Sequence, residues 1–160
     1  MNLINLDTLK EQLINSRKLP EDIDFEIYEE IFNLEQEHKT IGLVEILFYG
    51  FDDQSEDMGT QNSLLNYIRT VLNNYPIEKQ LETLITNKSS FFPHAENWFL
   101  SFLCKYIIEK NNLHIILSIF NRYLTINDSV YLLKKLIIFA DDLPFEEIKN
   151  NIKYLLKEMN

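Results

Sequence analysis

The chain has 160 residues, with 25 acidic and 15 basic side chains, and a formal net charge of −10. This acidic balance argues against nucleic-acid binding, because phosphate backbones are recognised mainly by lysine and arginine. Apolar residues make up 46% of the chain, which is too many for a disordered protein, so we expect one compact domain over residues 1–160.

Apolar residues recur at helical spacing along almost the whole chain, and three glycines and four prolines provide few turns for a sheet. In chain order, the first four predicted helices are marked by Leu6, Leu9 and Leu13; by Ile27, Ile31 and Leu34; by Ile41 to Phe48; and by Leu64, Leu65, Ile68, Val71 and Leu72. Gly50 is placed to cap the third helix at its C-terminus.

Proline and asparagine mark the helices of the second half. Pro76, Pro93 and Pro144 are predicted to lie in the first turns of helices, and Asn111-Asn112 and Asn127-Asp128 are predicted to open two others. Pro76 and Pro93 are 17 residues apart, and Pro93 and Pro144 are 51 residues apart, which is three times that spacing. A unit of 17 residues is typical of stacked helix hairpins. We therefore predict an all-α fold of about eight or nine short antiparallel helices. They would form a helix-hairpin array, either a solenoid of the HEAT or TPR type or an irregular bundle.

Compartment is predicted from the N-terminus, the single cysteine and the longest apolar stretch. Cys104 lies in an apolar helical pattern and has no partner for an internal disulfide, which is typical of a reducing compartment. The N-terminal residues lack the basic and apolar regions of a signal peptide. No apolar stretch is long enough to span a bilayer. We expect a cytoplasmic protein without membrane contact.

Motifs for catalysis or metal binding are missing from the sequence. There is no Gly-rich phosphate loop, no Gly-x-Ser-x-Gly elbow and no His-Glu-x-x-His pair. His38, His94 and His114 lie in different predicted elements without a partner at metal-ligand spacing. The sequence therefore predicts no catalytic residue, no metal and no cofactor.

Negative charge is concentrated in residues 21–57, which hold thirteen acidic residues and one basic residue, Lys39, for a formal charge of −12. On the second predicted helix, Glu26, Glu30 and Glu37 follow helical spacing and form an acidic stripe opposite the apolar face. Like charges at i, i+4 cost roughly 0.2–0.5 kcal/mol per pair, so the stripe favours a surface for a cationic partner. A solvated face that only keeps the protein soluble is the alternative.

Four more carboxylates lie within six residues, in the segment Asp52-Asp53-Gln54-Ser55-Glu56-Asp57. One interpretation is a helix start capped by Ser55, and another is a cation site, although the spacing is not that of an EF-hand. The third is a partner-binding patch with nearby aromatic anchors, some of which must be core. The predicted partner-binding residues are Glu26, Glu30, Glu37, Tyr49, Phe51, Asp52, Asp53, Glu56 and Asp57.

Three stretches of the sequence resemble the Immunity protein 30 family over about residues 45–110. They are Phe51-Asp52-Asp53-Gln54-Ser55-Glu56, Leu64-Leu65-Asn66-Tyr67-Ile68, and Asn97-Trp98 at a helix start. The resemblance implies a small all-α bacterial protein, encoded beside a polymorphic or contact-dependent toxin, that neutralises this toxin by binding. It implies no catalytic residues. A basic toxin domain, such as a nuclease with a cationic cleft, would fit the acidic block.

Two other functions are compatible with the sequence. A helical-repeat adaptor or scaffold would bind a different partner, mainly through a concave face. An acidic mimic of nucleic acid would occupy a DNA-binding protein.

Overall fold

The computed structural model describes residues 5–19, 21 and 23–159. Within these residues the chain forms nine α-helices joined by loops and four single 3-10 turns, without a strand. The helices are α1 (Leu6–Ser16), α2 (Ile23–Phe32), α3 (Ile41–Leu47), α4 (Met58–Leu72), α5 (Ile77–Thr86), α6 (Glu96–Ile107), α7 (Leu113–Tyr123), α8 (Ile126–Ala140) and α9 (Glu146–Glu158). The all-α prediction is confirmed, including the number of helices.

Side-chain caps fix the first residues of several helices. Asn5 and Asp57 each accept hydrogen bonds from two backbone N–H groups, of α1 and α4, and Thr40 and Thr125 each accept from one, of α3 and α8. Each cap pairs N–H groups that have no carbonyl partner inside the helix, which is worth about 1 kcal/mol. Short polar residues at these positions therefore explain why the apolar segments begin as helices where they do.

The prolines lie outside the helices that they precede, so their predicted first-turn positions are wrong. Pro76 comes directly before α5, and Pro144 lies two residues before α9. Pro93 is farther away, in a turn that precedes α6, and it follows a cis peptide bond from Phe92. Proline has no N–H to donate and restricts the residue before it. A proline just before a helix therefore marks the start of the helix, as a proline in the first turn would.

Contacts between Cα atoms divide the chain into two compact units. Unit 1 comprises the chain up to Tyr75 together with residues 87–98, and unit 2 comprises residues 76–86 and the chain from Phe99 onwards. The acidic segment 21–57 lies wholly in unit 1. The single domain over residues 1–160 remains a prediction.

Unit 1 is built from helices that pack on both their nearest and their next-nearest neighbours in sequence. Helix α1 packs on α2 and α3, and α4 packs on α2 and α3. This is the pattern of two stacked hairpins, α1 with α2 and α3 with α4. Its core contains fully buried side chains from each pair, among them Leu13, Leu47, Leu64 and Ile68.

Unit 2 is built mainly on contacts between helices that are next-nearest neighbours in sequence. Helix α7 packs on α5 and α9, and α8 packs on α9. Inside this unit the Tyr106 hydroxyl donates to Gln80 Oε1 at 3.1 Å, and Asn151 Nδ2 donates to the Ile107 carbonyl at the end of α6 at 2.7 Å. Unit 1 therefore shows the helix-hairpin packing that the sequence predicts, whereas the main helix contacts of unit 2 join α5 to α7 and α8 to α9. None of the helices in the described ranges combines the length and the apolar character needed to cross a membrane.

Candidate functional site

The acidic segment after α3 begins with two side chains that point into unit 1. Phe51 is fully buried, with its ring 5.8 Å from that of Phe91 and 5.3 Å from that of Trp98. Asp52 is only 2% exposed, and its Oδ2 lies 3.2 Å from Nε of Arg17. The prediction that Phe51 and Asp52 contact a partner is therefore wrong, because the ring fills the core and the carboxylate pairs with an internal guanidinium.

Every polar group of Asp52 has a partner within unit 1. Its backbone N–H donates to Gln61 Oε1 at 3.1 Å, and its carbonyl accepts from Trp98 Nε1 at 3.3 Å. The carboxylate also accepts from the Gln54 N–H at 2.9 Å. Burying an ionised carboxylate is costly unless it is paired and hydrogen-bonded. This residue meets that condition by linking α1, α4 and the start of α6.

His94 extends this arrangement on the other side of Arg17. Arg17 Nη1 lies 3.0 Å from His94 Nε2. Since a guanidinium only donates, Nε2 accepts and the ring is neutral. Burial, reinforced by the neighbouring positive charge, lowers the pKa of His94 below its usual value. We call Arg17, Asp52, Gln61 and His94 the polar node.

Gly50 meets the polar node through its carbonyl oxygen, which accepts from Gln61 Nε2 at 2.9 Å and from the Tyr28 hydroxyl at 2.8 Å. No described glycine has a positive φ, so Gly50 does not act as the predicted left-handed helix cap. Its role is close packing, because an added Cβ would lie 3.0 Å from the tips of Leu13 and Leu64. Tyr28 is almost fully buried, and this burial raises the pKa of its hydroxyl far above the usual value.

Asp53 and Asp57 stabilise helix starts. Asp53 Oδ2 accepts from the Asn97 N–H at 3.1 Å, in the first turn of α6, and its partial burial raises the pKa of its carboxyl. Asp57 caps α4 by accepting from two backbone N–H groups at 2.7 and 3.1 Å. The bond from Thr60 does most to lower the pKa of Asp57. The helix-start interpretation therefore holds, but with Asp57 as the cap instead of Ser55.

The remaining residues of the predicted patch are more exposed. Glu56 is exposed, whereas Tyr49 is half-buried beneath Lys10, whose Nζ lies 4.1 Å from the ring centroid. The nearby Ser90 hydroxyl and Lys10 ammonium lower the pKa of the Tyr49 hydroxyl. Segment 52–57 is therefore mainly a structural connection, and what it exposes is chiefly one carboxylate.

The acidic stripe of the second helix is shorter than predicted. Glu26 and Glu30 are exposed on α2, but α2 ends at Phe32. Glu37 lies beyond it, in the 3-10 turn Gln36–His38. Glu37 is exposed but does not continue the stripe, so its placement on the helical face is wrong.

A groove between α1 and α2 is the best-formed concave surface beside these acids. It consists of two cavities, of about 240 Å³ and about 380 Å³, that share Gln12, Ile27 and Glu30 as lining residues. The first is also lined by Asn5, Thr8, Leu9, Ile31 and Leu34, and the second by Asn15, Ser16, Asp24 and Glu26. We call this the α1–α2 groove.

The α1–α2 groove is negatively charged and has no basic side chain in its lining. Among the described residues, neither Glu26 nor Glu30 forms an ion pair with a lysine or arginine. Asp24 accepts a hydrogen bond from the backbone N–H of Glu21. Sequence reasoning identified Glu26 and Glu30 but missed the contribution of α1 to the groove. Its signal is the set of uncharged polar residues on α1, which includes Gln12, Asn15 and Ser16.

The chemistry available to these two features differs. The polar node is closed, with Asp52 and Gln61 withdrawn from solvent, so it holds the fold together. The α1–α2 groove is open and joins an apolar floor to free carboxylates, which suits a cationic, partly apolar partner. In the part of the chain that the structure describes, no three His, Cys, Asp or Glu side chains are grouped to hold a metal ion.

Comparison with known proteins adds no relative: no family model, no curated protein and no solved structure matches the chain. The candidate function is therefore drawn from the α1–α2 groove and from the sequence resemblance.

Proposed function

We propose that the protein is a cytoplasmic immunity protein that binds and neutralises a basic toxin domain, without catalysis or a cofactor. The observation that carries the proposal is the α1–α2 groove, which has three acidic side chains and no basic one in its lining. The resemblance to the Immunity protein 30 family supports the same function independently.

Binding would combine two physical effects. The negative field of α2 and its flanking segments attracts a cationic surface, which accelerates encounter and selects against acidic partners. The apolar floor, which includes Leu9, Ile27 and Ile31, then excludes water from the contact and slows dissociation. A stoichiometric inhibitor needs no more chemistry than this.

The 51–57 segment has a supporting role in this proposal. It joins the C-terminal end of α1 to α4 through Arg17 and Gln61, and α1 forms one wall of the groove. Apart from Glu56, the residues of this segment that carry the family resemblance would then preserve the shape of the binding surface without touching the toxin. We propose Glu26 and Glu30 as contacts, with Tyr49, Glu56 and Glu37 as peripheral candidates.

A helical-repeat adaptor is the second candidate. It is favoured by unit 1, where each of the four helices packs on a nearest and a next-nearest neighbour in sequence. An adaptor would bind its partner regardless of whether that partner is toxic, so a toxin-protection assay separates the two functions.

The test is protection of cells that express the toxic domain encoded beside this gene. Wild type should restore growth, and the double variant Glu26→Lys/Glu30→Lys should not. Glu147→Lys/Glu158→Lys on α9 is the control, because both residues are exposed and the charge change is the same. Full protection by the groove variant would overturn the proposed site, and no protection by wild type would overturn the function.

A further inference from the structure

The α1–α2 groove is graded along its length. Asn5 lines the same cavity as Leu34, whereas Ser16 lines the same cavity as Asp24, so α1 and α2 run antiparallel along it. The end near Leu34 is apolar, and the end near Asp24 is acidic. Glu30 lines both cavities and lies between the two ends. A partner must therefore present an apolar group at one end and positive charge at the other.

The distance between the apolar and acidic ends of the groove sets the spacing of the partner's apolar and positively charged groups. Leu9 lies at the apolar end and Ser16 at the acidic end, seven residues apart on one helix. At 1.5 Å per residue this separation is about 10 Å, or two helical turns. Positions i and i+7 of a bound helix are separated by the same distance and face the same side. The groove thus matches the repeat of an α-helix.

From this match we propose that the groove binds one amphipathic helix of the partner. An apolar side chain at position i packs against Leu9, Ile31 and Leu34. A lysine or arginine at i+4 pairs with Glu30, and a second one at i+7 pairs with Asp24 or Glu26. This inference deepens the proposed function and rests on it, in that the helix belongs to the toxin.

Other occupants fit the groove less well. An extended peptide presents side chains on one side only at every second residue, about 6.4–6.8 Å apart, which does not match a separation of about 10 Å. The described residues also offer no strand edge for its backbone. A single metal ion would need at least three suitable ligands grouped together, and the described residues contain no such group. A free polyamine would pair with the acids but would leave the apolar floor uncovered. Only an amphipathic helix uses both ends.

The test uses two synthetic alanine-based peptides of about 18 residues, long enough to form a helix. The patterned peptide has leucine at i and arginine at i+4 and i+7. Its matched control has the same composition, with the arginines moved to i+2 and i+5, on the opposite face. Each peptide is titrated by fluorescence anisotropy into wild type, Glu30→Lys and Glu29→Lys. Glu29 is the exposed neighbour on α2 that lines neither cavity.

We expect the patterned peptide to bind wild type at least tenfold more tightly than its control. Glu30→Lys should weaken binding at least tenfold, and Glu29→Lys less than twofold. Equal binding of the two peptides, or equal losses in the two variants, would overturn the helical occupant. If protection by the groove variants is lost while the peptides bind equally, the helix is wrong and the function stands. If the patterned peptide binds selectively while those variants still protect, the groove is not the site of protection, and the assignment of the helix to the toxin is wrong. If wild type does not protect, the toxin function is wrong whatever the peptides show.

Discussion

Single residues of the 51–57 segment show how an acidic side chain can serve the fold instead of the surface. Asp52 is buried against Arg17, and Asp53 and Asp57 hold the starts of α6 and α4. In sequence all three look like parts of one charged patch. What separates them is their partners, two of which lie more than thirty residues away along the chain.

Removal of the Asp52 carboxylate should destabilise unit 1. In Asp52→Ala, the Arg17 guanidinium loses its counter-ion inside the fold. Breaking a buried pair usually costs about 3–5 kcal/mol, and we expect about 2–4 kcal/mol because Arg17 is 22% exposed and retains some solvent. Urea denaturation followed by circular dichroism measures the loss. Glu56→Ala is the control and should change the free energy of unfolding by less than about 0.5 kcal/mol. Equal values for the two variants would show that the ion pair contributes nothing.

The neutral ring of His94 predicts a pH dependence of stability. Its pKa is lower in the folded protein than in the unfolded chain, where it is about 6.5. The unfolded chain therefore takes up a proton first as the pH falls below about 6.5, and stability is lost over that window. The positive charge of Arg17 also lowers the pKa of His94. The negative charge of Asp52 raises it, but not enough to reverse the net decrease.

Chemical denaturation of wild type from about pH 7.5 to about pH 5.5 should show this decline. His94→Gln, which retains an acceptor for Arg17, should lose less stability than wild type over the same pH range. His114→Gln, at an exposed position in unit 2, should keep the wild-type slope. A slope that survives in His94→Gln would locate the titrating group elsewhere.

Helix α2 is the element in which stability and the proposed binding conflict. Glu26 and Glu30 are like charges at i, i+4, and Glu30 lies in the last turn, where the helix dipole favours a positive charge. Glu30→Lys replaces the like-charge pair with an opposite-charge pair and places a positive charge at the C-terminal end of the helix dipole. It should therefore raise the free energy of unfolding by about 0.5–1.5 kcal/mol. Thermal denaturation tests this. A lower melting temperature would mean that Glu30 makes a stabilising contact within the fold.

Elements of the fold were more predictable than its loops. Apolar spacing identified all the helices, because burial of one face imposes a period of 3.6 residues. The end of α2 at Phe32 was missed because Leu34 continues the same spacing although the helix has ended. Phe51 and Asp52 were placed on the surface because a loop has no periodicity to show which side chains point inwards. Their partners are set by tertiary packing alone.

The candidate site was predictable only in part. Glu26 and Glu30 could be identified because a one-sided acidic stripe is visible on a helical projection. The contribution of α1 could not, since uncharged polar residues such as Gln12 and Asn15 are ordinary on any exposed helix. It is the antiparallel packing of α1 on α2 that turns these residues into the wall of a groove.

On the scale of the whole molecule, negative charge and the α1–α2 groove coincide in unit 1. The acidic segment 21–57 has a formal charge of −12, whereas the net charge of the chain is −10. The rest of the chain therefore has a small positive balance. Such a distribution steers a basic partner to one unit. The polar node keeps the C-terminal end of α1 attached to α4 in the same unit.

The most direct measurement is the dissociation constant of the toxin domain proposed as the partner for wild type, Glu26→Lys/Glu30→Lys and Glu29→Lys, at low and at physiological salt. We predict that the double variant binds at least a hundredfold more weakly, that Glu29→Lys binds nearly as wild type, and that salt weakens wild-type binding through slower association. Tight, salt-independent binding by the double variant would contradict the proposal that the α1–α2 groove holds the toxin.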